Sequence, residues 1–140
     1  MNRHEQRKVI FKLLFQTEFF EKEEAEALAN RFLLETDFED MEDIKDISEE
    51  DAIILKNRFL QVCEKLTQID NMINENATGW SVGRIGKVEL SILRLAIYEI
   101  KFDEDIPTKV AIDEAVGLAK EYGQDNAGSF VNGILAKFAV

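Results

Sequence analysis

Two short stretches carry residue types that could grip a negatively charged polymer. Near the start, Arg3-His4-x-x-Arg7-Lys8 sets two guanidinium groups four residues apart. On a helix that spacing puts both on one face, where they could straddle phosphates. Near the end, Asn126-x-x-Ser129-Phe130-Val131-Asn132-Gly133 reads as the opening of a helix. The first turn of a helix exposes unpaired amides that can bind phosphate, and an aromatic ring at its edge can stack on a base. Each stretch also has a plainer reading. The first also reads as solvated surface charge, and Phe130 reads first as a core side chain, like Val131, Ile134 and Leu135 beside it.

Catalytic chemistry lacks raw material. The single histidine, His4, leaves no multi-histidine metal site, and the single cysteine, Cys63, excludes an internal disulfide or a Cys-cluster zinc site. GWSVG and GRIG fit neither phosphate-binding glycine signature, and HExxH and GxSxG do not occur. Asp113 and Glu114 are adjacent, so on a helix they point about 100° apart and do not face one substrate. Cys63 lies in an apolar helical pattern, which suits an inert buried thiol. The expectation is a protein that is not an enzyme, with no catalytic residue, no metal and no cofactor.

The elements that would position these groups are helices. Residues ~3–20 carry apolar side chains at helical spacing, from Val9 to Phe19, with the basic residues at the front. A second helix reads over ~22–36 through Ala25, Leu28, Ala29, Phe32 and Leu33. Residues 37–47 have no period and read as a loop. Ser48 is placed to cap a third helix by accepting from the Asp51 amide, and that helix runs to about Ile73. Asn74 to Gly83 is rich in turn-formers. From Lys87 to Phe102 the apolar residues lie nearly all around, the pattern of a buried central helix. Pro107 opens the next helix and Gly123 closes it in the usual C-terminal position. A last helix covers ~126–138. No strand alternation is present. The expected fold is all-α: two small helical bundles, residues 1–76 and 77–140, packed as one unit.

Composition agrees. The chain has 140 residues, 46% of them apolar, enough for one domain with a real core. No apolar run approaches the roughly 20 residues that span a bilayer, and the first residues do not read as a signal peptide. These features imply a cytoplasmic protein in a reduced compartment with no membrane partner. The net charge is −11 and is unevenly spread. Residues 1–12 sum to +3, whereas residues 35–51 sum to −9. Such a body repels nucleic acid at long range, so any binding must come from a local basic patch or a basic partner. The acidic run is either a solvated connector or a landing surface for a cationic protein.

The stretch Val88-Glu89-Leu90-Ser91-Ile92-Leu93-Arg94-Leu95-Ala96-Ile97-Tyr98-Glu99 resembles a conserved block of the NusB transcription antitermination factors. Trp80 and Arg84 fit the W-x-x-x-R before it. Asp105-Ile106-Pro107, Val110 to Val116, Tyr122-Gly123 and Phe130-Val131-Asn132-Gly133-Ile134-Leu135 follow in order and at matching spacing. The resemblance implies a non-catalytic factor of two helical bundles. It would bind the boxA element of ribosomal-RNA leader transcripts together with NusE, a small-subunit ribosomal protein, and help RNA polymerase resist termination. It implies RNA contacts at Arg3, His4, Arg7, Lys8, Asn126, Ser129 and Phe130, and a NusE contact at Glu89. Arg94 either pairs inside the protein or reaches RNA. Relatives also imply that two copies can pair through the partner face. The alternative is a helical protein-interaction module without RNA binding.

Overall fold

The structure, a computed structural model, describes residues 1–35 and 47–139. Most of the acidic run of the sequence, expected as a loop, lies outside the described residues. Regular structure among the described residues is helical throughout. The chain forms two compact units, Met1–Glu64 and Lys65–Val140. The sequence places the boundary at 76/77, whereas the compact units divide at 64/65, so that residues 66–76 belong to the second.

The first unit holds α1 (Arg3–Gln16), α2 (Ala25–Glu35) and α3 (Glu49–Glu64). Each start has a local cause. The Asn2 side chain accepts from the Glu5 amide at 2.8 Å and caps α1. The Ser48 hydroxyl accepts from the Asp51 amide at 3.1 Å and caps α3, as its sequence predicts. The end of α1 comes earlier than expected. The Thr17 hydroxyl donates to the Leu14 carbonyl at 2.6 Å, and residues Thr17–Phe19 tighten into a 3-10 turn. A second 3-10 turn, Lys22–Glu24, precedes α2. α3 packs on both other helices, and Val9, Leu13, Leu14, Leu28, Ala29, Leu55, Phe59 and Val62 close the core. Cys63 is a buried free thiol.

The second unit holds α4 (Leu66–Asn76), α5 (Lys87–Phe102), α6 (Thr108–Tyr122) and α7 (Ala127–Leu135). A single helix was expected over 48–73, but the chain divides it at Lys65, which takes φ −101° and ψ 1°. α5 is the centre of this unit, and α4, α6 and α7 all pack on it. Every residue from Leu90 to Glu99 is buried, so the all-round apolar pattern reports the environment correctly. Arg94 is buried within that run and pairs with Asp70 on α4. Its Nε and Nη2 donate to the two carboxylate oxygens at 2.9 Å each. This two-pronged pair ties α4 to α5.

Candidate functional site

A groove of about 670 Å³ opens in the second unit between the start of α5 and the α6–α7 corner. Trp80, Lys87, Glu89, Tyr122, Gln124, Asn126 and Phe130 are among its walls. Its rim is built by two backbone devices. The first is a turn from Ala77 to Trp80, closed by the Trp80 amide donating to the Ala77 carbonyl at 2.8 Å. Gly79 sits third in that turn at φ +83°, a left-handed value that glycine adopts without strain. The second device is the corner itself. Asn126 precedes α7 at φ +74°, the only non-glycine residue with positive φ among the described residues. Asparagine tolerates this region better than most residues. Its side chain does not cap α7, so it stays available on the exposed surface of the groove.

Gly123 ends α6 as expected, but for a different reason. Its φ of −89° and ψ of 177° are open to any residue. Space is what demands glycine: a methyl group there would lie 2.5 Å from the Ala127 Cβ and 2.7 Å from the Ala119 carbonyl oxygen. The Glu89 carboxylate reaches the same corner, with Oε1 3.3 Å from that methyl position. Glu89 lies in the first turn of α5, where the helix dipole favours a carboxylate.

The structure gathers some of the sequence candidates and separates others in character. Asn126 and Phe130 line the groove, and Ser129 is exposed on the same first turn of α7. Phe130 is half-buried, between the two readings its sequence allowed. It meets Trp80 edge to face, with ring centroids 5.3 Å apart and an interplanar angle of 78°. Glu89, expected to face a protein partner, stands in the same groove. In the first unit, Arg3 and His4 are exposed at the start of α1. Arg7 and Lys8 are not: they are 7% and 4% exposed and engaged by neighbouring groups. Arg7 shares a helical stripe with Phe11 and Leu14, so its stem lies along the face that enters the core. The pattern of an open Arg3–Arg7 face is corrected accordingly, because the spacing rule fixes direction and not exposure.

Sequence reasoning did not single out Trp80, Tyr122 or Gln124 as site residues. A signal for the first existed. A tryptophan inside a run of turn-formers, NENATGWSVG, has little chance of entering a core. Among the described residues, no group of three or more His, Cys, Asp or Glu could hold a metal. No helix there is long and apolar enough to cross a membrane.

The architecture defines the class: an all-α protein of two small helical bundles. The NusB family model matches residues 4–140. The transcription antitermination protein NusB of Agathobacter rectalis is 45% identical over 139 residues, covering 99% of this chain and all of that one. NusB from T. maritima superposes with a TM-score of 0.82 at 35% identity, over 99% of this chain and 91% of that chain. A chain from the crystal structure of a plectonemic RNA supercoil superposes with a TM-score of 0.76 at 25% identity, over 98% and 94%. The chain belongs to the NusB family.

Proposed function

We propose that this chain binds single-stranded boxA RNA of ribosomal-RNA leader transcripts together with the ribosomal protein NusE, within an RNA polymerase antitermination complex. The observation that carries the reading is Phe130, half-exposed in a groove of mixed apolar and polar lining beside Asn126, whose side chain does not cap α7. Unpaired bases are recognised by aromatic faces and by polar groups at their edges, and this groove offers both. Family membership and the likeness to NusB structures support the same assignment. Arg3 supplies an exposed cationic contact and His4 an exposed polar one. A body at −11 binds RNA weakly alone, and a basic partner relieves that repulsion.

The test is a titration of labelled boxA-like RNA with the purified chain, with and without NusE, at two salt concentrations. Affinity is expected to rise with NusE and to fall steeply with salt. Each phosphate contact contributes roughly 0.7 to the slope of log K against log salt for a single strand, so Arg3→Ala should lower that slope by about that amount. Equal RNA affinity with and without NusE would contradict the cooperative reading. The burial of Arg7 and Lys8 favours a second reading, a protein-interaction module without RNA binding. On that reading, Arg3→Ala and Phe130→Ala leave every RNA signal at the background level.

A further inference from the structure

Trp80 is the only tryptophan in the chain, and it is 45% exposed. Left in water, a side chain of that size forfeits much of its hydrophobic contribution to folding. Yet its backbone is fixed on every side. The Ala77–Trp80 turn is closed by a backbone bond, and Gly79 supplies the required positive φ. The Lys137 ammonium donates to the Asn76 carbonyl at 2.7 Å and to the Thr78 hydroxyl at 3.0 Å. Just beyond, the Asn74 side chain accepts from the Val82 amide at 2.9 Å. An exposed ring on an anchored turn is preorganised for contact with something outside the chain.

The chemistry of the surroundings narrows what that is. At an interplanar angle of 78° a ring pair touches edge to face, so Phe130 covers at most one face of the indole. Trp80 is itself one of the groove's walls. The same groove is lined by Glu89, Gln124 and Asn126, and by the charged Lys87 and Asp125. An occupant that matches has a flat π face and a hydrogen-bonding edge. An apolar peptide side chain would leave these polar groups unpaired, at a cost. We propose that Trp80 is the stacking platform for one unpaired nucleobase, with Glu89, Gln124 and Asn126 meeting the edge of that base. This inference rests on the RNA-binding reading and assigns the groove a residue that reading did not use.

Because Trp80 is the sole tryptophan, its emission reports the contact directly. Unlabelled boxA-like RNA is titrated into the full chain while tryptophan fluorescence is followed, and the anisotropy of labelled RNA is measured in parallel. The expected result is quenching that follows the anisotropy curve. Trp80→Ala should weaken RNA binding about 5- to 150-fold, the value of one base–aromatic stack. Trp80→Phe, which keeps a π face and the turn, should retain most of the affinity. Anisotropy showing binding with unchanged emission, and wild-type affinity in Trp80→Ala, would refute the platform while leaving the proposed function standing. Loss of NusE binding in Trp80→Ala with RNA affinity intact would overturn it in favour of a protein contact. Absence of any RNA binding by anisotropy, with or without NusE, would remove the reading beneath it.

Discussion

Replacing Gly123 and Gly117 by alanine is the same chemical change on the same helix, yet the two should move stability in opposite directions. At Gly123 the added methyl group would sit 2.5 Å from the Ala127 Cβ and 2.7 Å from the Ala119 carbonyl oxygen. Favourable separation between carbon atoms is about 3.5–4.0 Å, so the end of α6 and the start of α7 must part by roughly 1 Å. Neither obstructing group can rotate away, because one is backbone and the other is an alanine methyl. Overpacking of this kind costs about 1–3 kcal/mol, and the rigidity of both neighbours places Gly123 in the upper half. The reduced freedom of the unfolded chain offsets about 0.4–1 kcal/mol. The net expectation is a loss of about 2 kcal/mol. Gly117 lies inside α6, exposed, with nothing within 4 Å of the added methyl. There alanine should stabilise by about 0.5–1 kcal/mol through helix propensity alone. Urea unfolding, followed by far-ultraviolet circular dichroism and by Trp80 emission as a reporter within the second unit, gives both values at constant slope. A Gly123→Ala protein within about 0.5 kcal/mol of the parent would refute the steric account of the corner.

The Arg94–Asp70 pair offers a second measurement. Arg94 is 10% exposed in its side chain and Asp70 26%, so the pair is partly screened. Asp70→Ala, which takes both carboxylate acceptors from the guanidinium, should cost about 3 kcal/mol, the low end for a broken buried pair. A double-mutant cycle with Arg94→Ala should return a clear coupling, and additive single effects would show that the pair contributes nothing. Ser48→Ala removes the cap of α3 and should cost about 1 kcal/mol in the same urea assay, with no change in slope.

What the sequence made legible were features decided within one turn of helix. Ser48 announced its cap because donor and acceptor are three residues apart. α5 announced its burial because apolar residues on every side leave no face for water. Features decided across the fold were hidden. The periodicity of α3 runs on through Val62 and Ile69 with no glycine or proline between them, so the division at Lys65 left no mark. Arg94 gave no sign of its partner, which lies 24 residues earlier. Gly123 was placed correctly, but its cause was a neighbour's methyl group and not its own dihedral angle. At the candidate site, spacing brought Asn126, Ser129 and Phe130 to one helix start. It did not foresee the burial of Arg7 and Lys8, because a helical position says which way a side chain leaves the axis and not what waits there.

Lys137 has a further implication, one of timing. It fastens residues 61 and 59 positions earlier in the chain. During synthesis the segment around Asn76 and Thr78 leaves the ribosome long before its clasp exists. α4 and α5 can dock while this latch hangs open, and the indole gains its final anchorage only once the closing residues have emerged. A chain that lacked Lys137 would therefore keep a ring-bearing turn that is never secured.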